Sequence, residues 1–117
     1  EPGAPIGAHA FALHLERCLG RTPLHVPGTG DDGPLRRIAW CTGAAAGSID
    51  LAIAAGCDAY VTGEASEPAV HAAREAGVHF YAAGHHATER GGVQALGAHL
   101  AAHFGLAFRF VDIPNPV

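Results

Sequence analysis

Three short apolar runs establish the fold class of this chain: Arg37-Ile38-Ala39-Trp40-Cys41, Ala59-Tyr60-Val61 and Val78-His79-Phe80-Tyr81-Ala82. Short runs of this kind, rich in β-branched and aromatic residues, are typical of strands buried on both faces of a sheet. Each run ends in a turn that contains glycine, and each turn leads into a segment with helical character. This alternation, with short connections, predicts a mostly parallel sheet flanked by helices.

The helices between these strands carry their own start and stop signals. Ser48 and Ser66 are candidate N-cap residues, because a serine hydroxyl can accept a hydrogen bond from a free N–H of the first turn. Gly56 and Gly77 follow the two segments and are typical of helix ends. The sequence therefore predicts helices over about residues 48–55 and 67–76.

The remaining elements lie at the two ends of the chain. A helix is expected over residues 6–19, with Gly20 as its terminator. It is followed by a short strand over 24–26 and an exposed loop over 27–35 that is rich in glycine, proline and aspartate. The longest helix is expected to begin at 85 and end near 104, and 106–113 to form the last strand. The expected order is β-α-β-α-β-α-β after an N-terminal helix, in a single α/β domain over residues 1–117.

Composition excludes several classes of protein. Hydrophobic residues make up 49% of the chain and charged residues 15%, which is typical of a packed globular domain. The net charge of −4 argues against nucleic-acid binding, which needs a basic surplus. No apolar run approaches the roughly 20 residues of a membrane span. The three cysteines lie singly in apolar segments, as buried reduced thiols of a cytoplasmic protein do.

One helical stripe points to the site. On the wheel of the longest helix, four apolar residues share one face that we expect to pack against the core: Val93, Leu96, Leu100 and Phe104. Glu89 and His85 continue this stripe towards the start of the helix. An inward carboxylate is costly unless a partner compensates its charge, and a divalent metal ion would serve both side chains.

A purely structural alternative stays open at this point. His85 could cap the helix while Glu89 pairs with Arg90 or Arg74, because a His-x-x-x-Glu spacing is a pattern of low specificity. His99 and His103 have the same spacing but lie off the stripe, which favours a solvated face. Two ligands are in any case too few for a catalytic ion, which takes about three from the protein.

Two further residues lie at the carboxyl ends of the expected strands, where ligand sites of parallel sheets are found. Glu64 could act as a general base, or it could cap the following helix. Thr42, followed by glycine and small residues, could allow the close approach of a phosphate, although it matches no phosphate-binding fingerprint.

Three longer stretches carry a family resemblance: Ala39-Trp40-Cys41-Thr42-Gly43, Asp58-Ala59-Tyr60-Val61-Thr62-Gly63-Glu64 and the run from His79 to Gly92 that contains Gly84-His85-His86-Ala87-Thr88-Glu89-Arg90. Together with the closing Asp112-Ile113-Pro114-Asn115-Pro116, they resemble the carboxyl-terminal half of the GTP cyclohydrolase I type 2 homologue family, also called Nif-three-like. The resemblance covers most of the chain from about Arg37 onward.

The resemblance implies a protein of two halves with a dinuclear metal centre in the cleft between them, assembled as a homohexameric ring. It implies that His85 and Glu89 are metal ligands. The other ligands of the family belong to the amino-terminal half, for which this chain has no matching segment. Two divalent ions are expected per complete protein, with Zn, Mn, Fe and Co as candidates.

The family name implies a metal-dependent hydrolase that acts on a small, nucleotide-like substrate, with Glu64 as the candidate for proton transfer. The alternative is a metal-binding regulatory or oligomeric scaffold without turnover. In either case we expect the 117 residues alone to have little activity, because they hold an incomplete site.

Overall fold

The computed structural model describes residues 4–28 and 33–117. They contain short strands and four α-helices, with a single turn of 3₁₀ helix (Ala46–Ser48) directly before the second α-helix. In chain order the elements are β1 (Ile6–Gly7), α1 (Ala8–Leu19), β2 (Leu24–Val26), β3 (Pro34–Leu35), β4 (Ile38–Cys41), α2 (Ile49–Ala54), β5 (Ala59–Thr62), α3 (Glu67–Ala76), β6 (His79–Ala82) and α4 (His85–Phe104).

The central sheet has four strands in the order β2-β6-β5-β4. Strands β4, β5 and β6 are parallel, with Trp40 opposite Val61 and Val61 opposite Tyr81, while β2 runs antiparallel to β6. The predicted α/β class with a mostly parallel sheet is confirmed. The carboxyl ends of the three parallel strands meet at one edge, which is where the sequence placed the candidate site.

The sheet buries a different set of side chains on each face, because successive residues of a strand point to opposite sides. Tyr60 and Phe80 face α2 and α3 in one cluster. Val61 and Tyr81 face α1 in the other, together with the buried Leu35. The sheet is therefore covered by helices on both faces.

The helix ends follow the expected signals in most places. Gly20 and Gly77 end α1 and α3 in the left-handed conformation, with φ of 70° and 71°. Ser66 caps α3 by accepting a hydrogen bond from the Ala69 N–H at 3.4 Å. Ser48 makes no such bond, because the turn of 3₁₀ helix places its backbone outside the extended conformation that a cap requires.

The expected exposed loop over 27–35 differs from the structure at its end. Residues 29–32 lie outside the described part of the chain. Pro34 and Leu35 form β3, which pairs antiparallel with β1 through Ile6 opposite Leu35. Leu35 is 1% exposed and belongs to the α1 side of the core. An apolar side chain directly after the turn residues thus anchors the end of this segment.

The expectation that the stripe of α4 packs against the core is wrong for this chain. Its four apolar side chains are all exposed, at 61% for Val93, 60% for Leu96, 39% for Leu100 and 64% for Phe104. The molecule measures 50 × 31 × 24 Å along its principal axes. The spacing of apolar residues shows which face of a helix is suited to burial, but it does not show which part of a protein covers that face.

The expected last strand over 106–113 is also wrong. This segment forms no ladder with another strand among the described residues. It returns along α4, where the ring of Phe108 fills the space above Gly97 and the Val117 carbonyl accepts a hydrogen bond from the His86 N–H at 3.0 Å. A strand needs a neighbouring strand to satisfy its backbone groups, and beyond its first turn the backbone N–H groups of α4 are used within the helix.

Over the described ranges, none of the helices has the length and the apolar character that crossing a lipid bilayer would demand.

Candidate metal centre

The turns that follow β4, β5 and β6 are joined to one another through their backbones. The Gly63 N–H donates to the Gly43 carbonyl at 3.0 Å, and the Gly84 N–H donates to the Gly63 carbonyl at 2.9 Å. A Cβ on Gly63 would lie only 2.6 Å from the Gly43 oxygen, so no larger residue fits between the turns. This packing brings the start of α4 directly beside the end of β4.

His85 is held between two carboxylates. Its Nδ1 lies 2.6 Å from Oε1 of Glu64, and its Nε2 lies 3.2 Å from Oε2 of Glu89, one helical turn further along α4. An ionised carboxylate can only accept, so Nδ1 carries the hydrogen that is donated to Glu64. In the neutral ring Nε2 then presents a lone pair towards Glu89. Two acceptors face each other there unless a proton or a cation lies between them.

The electrostatics of His85 follow from this contact. The hydrogen bond to Glu64 raises the pKa of His85 above its ordinary value, and the negative charges of Glu89 and Glu64 add to this effect, whereas partial burial opposes it. The site therefore favours a positive charge on or beside the ring. A metal ion and a proton would compete for the same Nε2 lone pair.

The donor pair fits a divalent ion. Two ligands that each lie about 2.1 Å from a tetrahedral ion are about 3.4 Å apart, and His85 Nε2 and Glu89 Oε2 are separated by 3.2 Å. A histidine ligand commonly donates its other ring N–H to a carboxylate, as His85 does to Glu64. Within residues 4–28 and 33–117, however, no group of three or more His, Cys, Asp or Glu side chains could hold an ion.

Gly43 makes room for the pair. Its φ of +68° lies in the left-handed region, and a Cβ there would be 2.5 Å from Glu89 Oε1 and 3.2 Å from His85 Nε2. A side chain at this position would be strained and would also fill the space that the two donors face. The turn after β4 thus forms a wall of the candidate centre.

Thr88 connects this wall to α4. Its Oγ1 accepts a hydrogen bond from the Gly43 N–H at 3.1 Å and donates to the Gly84 carbonyl at 2.9 Å. The Gly43 N–H is therefore engaged within the protein. The sequence suggested that a phosphate could bind beside Thr42. Phosphate binding needs free backbone N–H groups, and the N–H of Gly43 is not free.

The carboxyl-terminal segment forms another wall. A cavity of about 330 Å³ lies over the donor pair and is lined by His85, His86, Glu89, Asn115 and Val117. The segment is held by Asp112, which accepts from Arg90 at 2.6 Å and contacts His86 Nε2 at 3.2 Å. Arg90 is thus paired with Asp112 rather than with Glu89, so one of the two arginine partners offered by the structural alternative is engaged elsewhere.

The pKa of Asp112 is set by two opposing effects, its burial and its contacts with His86 and Arg90. Burial alone would raise the pKa of this carboxyl group, but the hydrogen bonds from His86 and Arg90 and the positive charge of Arg90 bring the pKa of Asp112 below its ordinary value. The group stays ionised at neutral pH and keeps the segment attached to α4.

Other histidines lie away from the pair. His99 and His103 stack on each other on exposed turns of α4, as expected for a solvated face. His25 also lies away from the pair, on β2. It is half-buried, contacts His79 at 3.0 Å and stacks on Tyr81 with ring centroids 4.4 Å apart.

The structure brings together all three predicted site residues, Glu64, His85 and Glu89. Three further residues take part in the site that spacing did not reveal. Gly43 leaves space beside the donors, Thr88 connects the turn after β4 to α4, and Val117 lines the cavity. Thr88 lies inside the same string as His85 and Glu89, which is the one signal that could have indicated it. The contributions of Gly43 and Val117 depend on turns and on a segment whose positions only the fold specifies.

Comparison with known proteins gives consistent matches over nearly the whole chain. A protein of Pseudomonas aeruginosa named GTP cyclohydrolase 1 type 2 homolog is 59% identical over 113 residues, which are 96% of this chain and 43% of that protein. The solved structure of protein ybgI, described as of unknown function, superposes with a TM-score of 0.92 at 49% identity and covers 98% of this chain and 46% of its own. The structure of TTHA1606 from Thermus thermophilus gives a TM-score of 0.78 at 34% identity, over 91% and 42% of the two chains.

The chain thus spans slightly less than half the length of these relatives. The model of the family described as Duf34/NIF3 (NGG1p interacting factor 3) matches residues 3–116. The resemblance seen in the sequence is confirmed, and this chain belongs to the DUF34/NIF3 family.

Proposed function

We propose that this chain is one half of a metal-dependent hydrolase in which His85 and Glu89 are two of the protein ligands. The observation that carries the proposal is the arrangement of His85, whose Nδ1 is bonded to Glu64 while its Nε2 faces Glu89 at 3.2 Å. Such an orienting carboxylate is what metal-bound histidines commonly have. A divalent ion held there would supply an activated water and polarise the bond under attack.

The remaining ligands would come from outside this chain. Two donors leave half of the coordination shell of a tetrahedral ion open, and the relatives are about twice as long as this chain. We propose that an amino-terminal half supplies the missing ligands and a second ion. Zn, Mn, Fe and Co all accept imidazole together with carboxylate, so the donor types leave the metal open among these four.

Glu64 is a positioning residue in this proposal. Its Oε1 is bonded to the edge of the His85 ring that lies opposite Glu89, so it holds the Nδ1 proton and aims the Nε2 lone pair. The sequence-based suggestion of a general base would require Glu64 to reach a water on the other side of the ring. Replacement of Glu64 separates the two roles, because a positioning residue affects metal affinity as well as turnover.

The substrate is proposed to be small and nucleotide-like. This part rests on the names of relatives, such as the Pseudomonas aeruginosa protein named GTP cyclohydrolase 1 type 2 homolog. The cavity of about 330 Å³ over the donor pair has the size of a small-molecule site. We propose a cytoplasmic location, in keeping with the three cysteines, none of which forms a disulfide. Of these thiols only Cys57 is buried as expected, whereas Cys18 and Cys41 are exposed.

A non-enzymatic scaffold is the second candidate, and the exposed stripe of α4 favours it. Four large apolar side chains on one helix face are typical of an interface between subunits or domains. A homohexameric ring that uses this face would bury it. In that case the metal would stabilise the assembly and catalyse no reaction.

The test uses the full-length protein and the variant His85→Ala, with His99→Ala as the matched control on an exposed turn of the same helix. We expect His85→Ala to lose bound metal, measured by elemental analysis, together with hydrolysis of nucleotides and simple phosphoesters. His99→Ala should keep both. Loss of metal and of ring assembly, in a parent that hydrolyses none of these substrates, would support the scaffold instead.

A further inference from the structure

A second cavity lies beside the metal centre, on the face of the sheet that α1 covers. It has a volume of about 340 Å³ and opens between α1 and the edge strand β4. Small-molecule pockets have volumes of about 300–1,000 Å³ and are mostly apolar with a few polar groups. The walls are formed mainly by Phe11, Leu15, Leu19, Ile38, Trp40 and Val61, and the polar rim by Cys41, Thr42 and Thr88.

The walls are held in place by the protein itself. The ring of Phe11 packs edge-on against buried Tyr81, with centroids 5.3 Å apart and an interplanar angle of 83°. Leu15 and Ile38 pack against the α1 side of the core. The cavity is therefore formed before any ligand binds, and a ligand would not have to order its walls.

Trp40 gives this cavity its chemical character. Its side chain lines the cavity and yet is 76% exposed, although an indole is among the largest apolar groups a protein has. Among the residues that the structure describes, none that lines the cavity is charged. Aromatic walls favour a flat ring in offset or edge-on contact over an aliphatic group of the same size. An uncharged planar ring suits these walls, and Thr42 and Cys41 offer it polar contacts at the rim.

The cavity is connected to the donor pair through one residue. Thr88 lies on the rim, and its Oγ1 accepts a hydrogen bond from the N–H of Gly43. A Cβ on Gly43 would contact both His85 and Glu89, so this glycine lies directly beside the donor pair. A molecule that places a ring against Trp40 could thus extend its other end past Thr42 towards the donors. The apolar and the ionic parts of the site would then bind different ends of one ligand.

We propose that this cavity binds the uncharged heteroaromatic ring of the substrate, stacked on Trp40, while the reacting end lies at His85 and Glu89. The position of the reacting end rests on the proposed function, whereas the ring site rests on the cavity alone. An apolar side chain from another polypeptide is the competing occupant.

The ring site can be tested without metal or turnover, because Trp40 is the only tryptophan of the chain. Adenosine is titrated into the 117-residue chain while Trp40 fluorescence and methyl NMR spectra are recorded, with cyclohexanol and ribose as matched ligands. We expect saturable quenching by adenosine, with shifts at the methyl groups of Ile38 and Val61. An equal response to cyclohexanol, no saturation, or shifts at Leu96 and Leu100 of the exposed stripe would overturn the proposal.

Two variants sharpen the result. Trp40→Ala should weaken adenosine binding by about tenfold or more, as loss of a stacking platform does, while Leu51→Ala, which removes a similarly exposed apolar side chain outside the cavity, should leave it unchanged. Binding to Trp40→Ala is followed by NMR, which also reports whether the variant is folded. Unchanged affinity in folded Trp40→Ala contradicts the ring site.

The variant His85→Ala separates this proposal from the proposed function. Adenosine binding should persist in His85→Ala although metal is lost. If the full-length protein binds adenosine at this cavity but holds no metal, the hydrolase proposal fails and the ring site stands. If it holds metal and hydrolyses a substrate while adenosine leaves Ile38 and Val61 unshifted, the ring site fails.

Discussion

The Nδ1 of His85 lies 2.6 Å from Oε1 of Glu64. This bond joins the first residue of α4 to the turn that follows β5, two segments that the chain separates by α3 and β6. It determines which ring nitrogen carries the hydrogen and therefore which one can bind a metal ion. Glu64 therefore orients the ring, Gly43 leaves the space beside it, and the carboxyl-terminal segment covers it.

Replacement of Glu64 by glutamine should weaken metal binding without removing a ligand. The amide can accept from Nδ1 but lacks the charge that makes the imidazole a better donor to the ion. We expect a loss of metal affinity of about 10–100-fold, the usual effect of such outer partners. Isothermal titration calorimetry on the full-length protein measures it. Glu75→Gln, an exposed change on α3, is the control, and equal affinities for the two variants would contradict the positioning role.

Replacement of Gly43 by alanine should damage both stability and the centre. The left-handed backbone costs a non-glycine residue roughly 1–2 kcal/mol, and the new Cβ would lie 2.5 Å from Glu89 Oε1. We expect a lower free energy of unfolding in urea and a large loss of bound metal. Gly47→Ala is the control, because a Cβ at Gly47 meets open space. Full metal content in Gly43→Ala would show that the space beside the pair is not needed.

Metal binding should strengthen as pH rises through the raised pKa of His85. In the metal-free chain, the contacts of His85⁺ with the two carboxylates stabilise the fold below the ordinary pKa of histidine, and this contribution is lost as pH rises through the raised value. A metal ion needs the neutral ring, so its binding has the opposite pH dependence and releases a proton.

Calorimetry in two buffers of different ionisation enthalpy measures this proton release. The full-length protein should release a proton from His85 on binding metal, and His99→Ala should behave in the same way. Metal affinity that does not change with pH between mildly acidic and mildly alkaline solution would exclude the imidazole as a ligand.

The carboxyl-terminal segment should detach when Asp112 loses its charge. The pKa of Asp112 is lowered by its partners, so its contribution is present above the ordinary pKa of an aspartate and is lost as pH falls through the lowered value. Asp112→Asn should produce the same release at neutral pH, because Arg90 and His86 lose their ionic partner. Amide hydrogen exchange at His86, whose N–H is bonded to Val117, reports the release.

Asp50→Asn on the exposed face of α2 is the matched control for this experiment and should leave the exchange rate at His86 unchanged. Protection of the His86 amide that survives in Asp112→Asn would show that the backbone bond to Val117 holds the segment without the ion pairs.

If the complete protein assembles through the stripe of α4, as the scaffold proposal has it, a charge on that stripe should prevent assembly. Leu96 is exposed here, and burial of a glutamate at its position would be strongly unfavourable. We expect Leu96→Glu to reduce the oligomeric mass in sedimentation velocity experiments, while the 117-residue chain itself becomes more soluble. Gln94→Glu, which adds the same charge to a neighbouring exposed turn, should assemble normally. Normal assembly of Leu96→Glu would place the interface elsewhere.

Much of the fold could be predicted because local signals and burial agree along the chain. The run Tyr60-Val61-Thr62 is buried on both faces, and glycines end α1 and α3 where the sequence indicates. The prediction of a final strand failed because the apolar residues of 106–113 satisfy a strand pattern but have no neighbouring strand to pair with in the described part of the chain. The pattern of apolar residues shows which environment a segment is suited to, but whether a neighbouring strand is present depends on the tertiary structure.

The sequence by itself determined the α/β class, the turns at the ends of the strands and the residue types of the donor pair, because these depend on local periodicity and on the chemistry of single side chains. Only the tertiary structure decided that Glu64 contacts Nδ1 of His85 and that Gly43 lies against Glu89. It also decided that Trp40 is exposed and lines a cavity. Those relationships join residues distant in the chain, and their distances follow from how the sheet, α1 and α4 pack together.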